Sequence, residues 1–305
     1  MDAPTNTPQN PRPHPKSVLS IQSRVVYGHV GNAVAMPALH GLGIEAWPID
    51  TVSYSSHLGY PEARGMRHAP ATLAPLLDGL EAIGALGECD CVLSGYLGDV
   101  GNAALVADAV ARVKRHNPAA FYVLDPVMGE RGEGLYVAEP VAAAIRDALL
   151  PHADIAIPNQ FELGWLAGMP TDTIEQSLAA ADALRHAAKH DLAILVTGID
   201  SDGTTLTTIA VDGRGAWRID VARQKLEAHG TGDYFAARLT GHVLLGADLP
   251  TALVAATADT QAVVSATVAA GRRELLLVPG GGDGRGNETG ADKRSAPAFE
   301  LVKLR

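Results

Sequence analysis

The sequence predicts an α/β fold: a doubly wound, mostly parallel central sheet flanked by helices, with an antiparallel edge. Three observations lead there. Short continuous apolar runs recur along the chain, amphipathic helical patterns lie between them, and near residue 204 the pattern switches to alternation about a tight turn. Strands that are apolar without alternation are buried on both faces, as parallel strands covered by helices are. Strand and helix in regular succession supply the crossovers that a parallel sheet needs.

The first strand is read at 17–22, "SVLSIQ", with a helix near 30–42. Further strands follow at 44–50 ("IEAWPID"), 89–96 ("CDCVLSGY"), 120–125 ("AFYVLD"), 154–158 ("DIAIP") and 192–198 ("LAILVTG"). Helical patterns at 72–84, 101–116, 139–149 and 173–190 separate them. "TTLTTIAVDGRGAWRID" at 204–220 alternates about "DGRG" and reads as a hairpin, the antiparallel edge. Two helices complete the fold, 232–246 and 250–271. Residues 1–16, rich in Pro and Asn, read as a disordered tail, 17–279 as one domain, and 280–296 as a Gly-rich polar linker. The terminal 297–305 is expected to return to the sheet.

Composition narrows the partners. The 305 residues carry a formal charge of −10. Neutralising phosphates needs clustered Lys and Arg, so nucleic acid and anionic membrane surfaces are excluded as partners. No apolar run approaches the roughly 20 residues a membrane span requires. A small-molecule substrate is the remaining class. The two cysteines, Cys89 and Cys91, make no disulfide scaffold; at i and i+2 on a strand they point to one sheet face as packing residues, in keeping with a reducing cytoplasm.

In open α/β sheets, ligands bind beyond the carboxyl ends of the strands, so chemistry is sought just after each strand. "HGTGDYFAARL" at 229–239 sets Gly230, Thr231 and Gly232 where a helix begins. Glycines let the backbone approach an anion, and the helix N-terminus adds unpaired N–H donors and partial positive charge. Asp233, in the first turn, is explained on position alone by the helix dipole. Beside an anion nest it is also where a general base for phosphoryl transfer belongs. "DPVMG" at 125–129 puts Asp125 at a strand end before a glycine-containing loop, and "NQFE" at 159–162 puts Asn159 and Glu162 on one side of a helix start. No Walker sequence occurs.

G-T-G-D at 230–233, D-P-V-M-G at 125–129 and N-x-x-E at 159–162 resemble the ribokinase-like kinases of vitamins and sugars. The opening "IQSRVVYGHVGNAVAMPALHGLGIEAWPIDTVSYSSH" (21–57) and "SGYLG" (94–98) resemble the pyridoxal kinases. The likeness spans about 17–279. It implies a ribokinase-like fold and ATP-dependent phosphorylation of the 5′-hydroxyl of pyridoxal, with pyridoxine and pyridoxamine as further candidate acceptors, by a cytoplasmic homodimer. It makes Asp233 the base and Gly230, Thr231 and Gly232 the anion hole. Ser23, Val25, His57, Leu58 and Tyr96 would line the vitamer site, with Tyr27 beside them. Asp125, Asn159, Glu162, Thr197, His229, Gly230 and Gly232 would serve ATP, with Asp125 and Glu162 arranging Mg²⁺ through water and a monovalent cation as a further possibility. Asn159 reads as the cap that holds Glu162.

Two positions depart from that family. Leu58 stands where a threonine is common, leaving only a backbone contact, and Thr197 stands where many relatives carry lysine or serine. The competing readings are a hydroxymethylpyrimidine kinase, whose G-S-D-S-S-G-G opening this chain lacks, and a vitamer-binding protein without catalysis.

Overall fold

A computed structural model describes residues 15–200, 202–277 and 299–305. One ten-stranded sheet organises them, in the order β12-β11-β10-β9-β8-β5-β4-β1-β2-β3. Its centre is parallel: β1 (Ser17–Val25), β2 (Glu45–Tyr54), β4 (Cys91–Ser94), β5 (Phe121–Leu124), β8 (Ile155–Ala156) and β9 (Ala193–Asp200). The expected antiparallel edge follows as β10 (Thr205–Asp212) and β11 (Gly215–Ala222), turning through Gly213 and Arg214. β12 (Leu301–Lys303) pairs antiparallel with β11. β3 (Gly65–Arg67) adds an antiparallel strand at the far edge, which the sequence reading did not contain. A separate ribbon pairs β6 (Gly129–Glu130) with β7 (Gly134–Leu135).

Helices cover both faces. One layer holds α2 (Pro70–Ala82), α3 (Asn102–His116), α4 (Glu139–Ala144), α5 (Gln160–Ala167) and α6 (Ile174–Ala187). The other holds α1 (Asn32–His40), α7 (Thr231–Leu244) and α8 (Leu249–Ala269). The two-residue period of a strand sorts neighbours between the layers: Ile194 and Val196 face the first, Leu195 the second. Each such fully buried aliphatic side chain contributes about 1.5–3 kcal/mol relative to exposure.

Local details depart from expectation in ways that matter below. β1 runs to Val25 because its pairing with β2 shifts register between Gln22 and Arg24. That irregularity carries Ser23 and Val25 beyond the expected strand end at 22. The two cysteines do not share a face: β4 begins only at Cys91, so Cys89 precedes the regular pleat and packs in the first layer while Cys91 packs in the second. α8 is, by length and composition, apolar enough to cross a membrane, contrary to the reading that no such run exists; here its Ala252, Leu253 and Ala256 pack against the sheet. Lys16, assigned to the tail, pairs with Asp90 at 2.8 Å. The linker at 280–296 and most of the tail lie outside the described residues.

Candidate active site

α7 starts at the sheet edge where β1, β4 and β5 end. Its cap, Gly230, has φ 90°, and a Cβ there would overlap the His29 carbonyl oxygen. Glycine is therefore required twice, for conformation and for close approach. The first helical bond is donated by Tyr234 N to Gly230 O at 2.9 Å. The N–H groups of Thr231, Gly232 and Asp233 meet no protein acceptor among the described residues. Open space lies over Gly232, where a Cβ would meet nothing within 4 Å. Three free donors at a helix N-terminus are the arrangement an anion nest requires.

Asp233 is aimed by a residue that the sequence reading quoted but did not single out. The Gly31 N–H donates to Asp233 Oδ2 at 2.9 Å. Gly31 itself has φ 54°, and a Cβ on it would overlap the carbonyl and hydroxyl of Ser23. The turn it ends is held from below by buried Asn32, whose side chain meets Ser20 Oγ at 2.7 Å and donates to Asp50 Oδ1 at 2.8 Å.

The acids on the other side are set by a capping box. Asn159 Oδ1 accepts Glu162 N–H at 2.9 Å, and Glu162 Oε2 accepts Asn159 N–H at 2.9 Å. Glu162 Oε1 also accepts Met128 N–H at 2.8 Å, and Asn159 Nδ2 donates to Gly129 O at 2.7 Å. The box thus stitches α5 to the Asp125–Gly129 loop, in agreement with Asn159 acting as a cap. Thr197 bridges to Asn159 across the sheet end, its N–H donating to Pro158 O at 3.0 Å.

Two adjoining clefts open over these groups. The larger, ≈ 530 Å³, is lined by Ser23, Val25, His57, Leu58, Tyr96, His229 and Gly230. The smaller, ≈ 150 Å³, is lined by Asp125, Asn159, Glu162, Thr197 and Gly232. Asp233, Val127 and Tyr136 line both. The residues assigned to the vitamer therefore gather on one side of Asp233, and those assigned to nucleotide and metal on the other. His229 and Gly230 are the exceptions: both line the larger cleft, and the His229 ring centroid lies 4.3 Å from that of His57. Tyr27 reaches neither cleft; it is 58 % exposed and meets Tyr60 edge-on. Val127, Tyr136, Glu130 and Glu133 are cleft residues that the sequence reading missed, all from the loop and ribbon that follow Asp125.

Burial opposes the ionisation of all three carboxyls, and neighbouring charge adds to it at Asp125 and Glu162. Burial, then the charges of Asp233 and Glu162, push Asp125 well above the usual carboxyl range. Burial also raises Asp233 against the pull of the Gly31 N–H. Glu162 is pushed up to about 7 by burial, against three amides that favour its charged form. An acid whose folded pKa exceeds its unfolded value favours folding at low pH and loses that contribution as pH rises to the folded value. For Glu162 that loss falls between its ordinary 4.5 and about 7. The melting-temperature gap between ligand-free wild type and Glu162→Gln should therefore be larger near pH 5 than near pH 8. A gap independent of pH would refute this account.

The donor set fits a hydrated Mg²⁺. Asp125 is buried at 8 % exposure, yet its carboxylate accepts no hydrogen bond among the described residues. No group of three side chains among the described residues forms a closed metal cage. Magnesium suits such a site, since it binds through one or two carboxylates plus water and phosphate.

A family model described as phosphomethylpyrimidine kinase matches residues 76–277. The pyridoxal kinase of Leifsonia xyli is 41 % identical over 264 residues, covering 86 % of this chain and 93 % of that protein. The chain belongs to the pyridoxal kinase family. The pyridoxal kinase of Deinococcus radiodurans is also 41 % identical, over 276 residues, with 88 % and 93 % covered. Among solved structures, the pyridoxal kinase from Leishmania donovani in complex with ADP and pyridoxamine superposes with a TM-score of 0.78 at 31 % identity, over 86 % of this chain and 93 % of that one. The likeness to the Entamoeba histolytica pyridoxal kinase, TM-score 0.83 at 22 % identity, with 95 % and 100 % covered, speaks to the ribokinase-like fold of the pyridoxal kinases alone.

Proposed function

We propose that the protein transfers the γ-phosphoryl group of ATP to the 5′-hydroxyl of pyridoxal, giving pyridoxal 5′-phosphate and ADP. The observation that carries this reading is that Asp233 borders both clefts while three free amides flank it. The vitamer occupies the larger cleft with its hydroxymethyl arm towards Asp233, and the nucleotide phosphates occupy the smaller. Asp233 accepts the hydroxyl proton as the oxygen attacks phosphorus in line; the bond to the bridging β,γ oxygen breaks, and ADP leaves. The amides of Thr231, Gly232 and Asp233 meet charge developing on the transferring group. A carboxyl raised towards neutral pH is better matched to that proton than an ordinary one. Bound Mg²⁺ would neutralise phosphate charge, with Asp125 and Glu162 holding its waters. Val127 and Tyr136, bordering both clefts, limit water at the junction and so suppress hydrolysis.

The family model leaves hydroxymethylpyrimidine kinase as the second reading, since its match at 76–277 begins after the opening segment that separates the two kinds of kinase. A coupled ADP-release assay with pyridoxal, pyridoxine, pyridoxamine and hydroxymethylpyrimidine decides. Pyridoxal turnover well above that of the pyrimidine is expected. Preference for the pyrimidine would overturn the reading, and binding of pyridoxal without ADP release would make the protein a vitamer carrier. The same proposal places the enzyme in the cytoplasm as a homodimer. Its free buried thiols suit a reducing compartment, and light scattering at one-chain mass would exclude the dimer.

A further inference from the structure

Glu274 lies just past α8, only 3 % exposed, and has no part in the chemistry proposed above. Its Oε1 accepts the Tyr60 hydroxyl at 2.7 Å and stands 3.4 Å from His57 Nε2. Its Oε2 accepts the His29 N–H at 3.3 Å. Glycine at 28 makes room: a Cβ there would stand 2.5 Å from Oε2. Hydrogen bonds offset the cost of burying a carboxylate, and this one is served from two separate stretches of chain, 28–29 and 57–60.

Each contact bears on the site. His57 Nδ1 accepts the Gly59 N–H at 3.2 Å, so Nε2 carries the ring proton and presents it to Glu274. Both ring nitrogens are thereby engaged within the protein. His57 lines the larger cleft, its ring centroid 4.3 Å from that of His229 and 4.5 Å from that of Tyr60. The His29 contact acts at the other end. Two residues on, Gly31 aims Asp233, and the His29 carbonyl is the group against which Gly230 is packed.

We infer that Glu274 is a positioning residue for the acceptor side: it sets the His57 ring as a wall of the larger cleft and holds the Gly28–Gly31 turn against Asp233 and the start of α7. The inference rests on the vitamer occupying that cleft. Glutamine keeps the volume but offers one acceptor oxygen, so Glu274→Gln cannot serve His29 on one side and the Tyr60–His57 pair on the other.

Two readouts test this. In steady-state kinetics, Glu274→Gln should raise the KM for pyridoxal about tenfold, the scale of one charge-assisted hydrogen bond, and leave the KM for ATP unchanged. In nitrogen NMR of the imidazole rings, His57 should be a single Nε2–H tautomer in the wild type and lose that signature in the variant. Tyr60→Phe, which removes one bond to Glu274, should shift the pyridoxal KM in the same direction and serves if Glu274→Gln does not fold. An unchanged pyridoxal KM in a folded variant, equal rises in both KM values, or an unchanged His57 tautomer would each overturn the inference. A wild type that leaves pyridoxal unphosphorylated refutes the kinase reading, and the His57 spectrum then still decides the role of Glu274.

Discussion

Asp233→Asn is expected to lower pyridoxal turnover by about 10³-fold while leaving pyridoxal affinity within about twofold of wild type. The asparagine oxygen can still accept the Gly31 N–H, so the side chain keeps its place at the junction of the clefts. What disappears is the lone pair that takes the hydroxyl proton. The amides at 231–233 remain, and they account for a measurable residual rate. Calorimetric titration of pyridoxal beside the ADP-release assay separates the effects. Full turnover in the variant would remove Asp233 from the chemistry, and lost binding would recast it as a substrate contact.

The second large effect concerns two glycines two residues apart. Gly230→Ala should lower turnover by about 10² or more and lower the melting temperature by several degrees. Alanine at φ 90° is strained by about 1–2 kcal/mol, and its Cβ overlaps the His29 carbonyl, so the turn and the nest must separate. Gly232→Ala differs in kind. Its Cβ meets nothing within 4 Å, and alanine is the better helix former, so the variant should melt at or slightly above wild type. It should nevertheless lose about tenfold in turnover, because that open space is the floor of the smaller cleft. Thermal melts with ATP-dependent kinetics on both variants give the comparison. Equal melting temperatures would refute the packing argument at 230, and a fully active Gly232→Ala would place the phosphate elsewhere.

Much of this site is legible in the sequence. G-T-G-D, D-P-V-M-G and N-x-x-E are short stretches whose geometry is local: a helix start, a strand end, a capping box. Their residues therefore carry their own structural meaning, and Asn159 and Glu162 pair as their three-residue spacing requires. The apolar runs likewise mark the central strands, since a strand covered on both faces is mostly apolar and its few polar side chains, such as Ser20, are hydrogen-bonded inside. Contacts between distant segments were not readable. Gly31 and Asp233 are 202 residues apart, and His29 and Glu274 are 245 apart. Nothing in either neighbourhood announces the other. The resemblance assigns His229 to the nucleotide, yet the reversal of the chain at Gly230 turns its ring towards His57. Cys89 was placed on a strand that starts two residues later, so the alternation rule was applied outside its range.

Val127 is the one described non-glycine residue with positive φ, at 43°, and it is β-branched. Such a backbone is disfavoured by about 1–3 kcal/mol and persists only where neighbours over-determine it. Here the neighbours are the Met128 and Gly129 amides gripped by Glu162. The wall shared by the two clefts is therefore under tension in the ligand-free protein, and a single carboxylate acts as its clamp. Whatever draws charge away from Glu162 slackens that clamp, so the shape of the junction and the ionic state of the phosphate side are one mechanical variable.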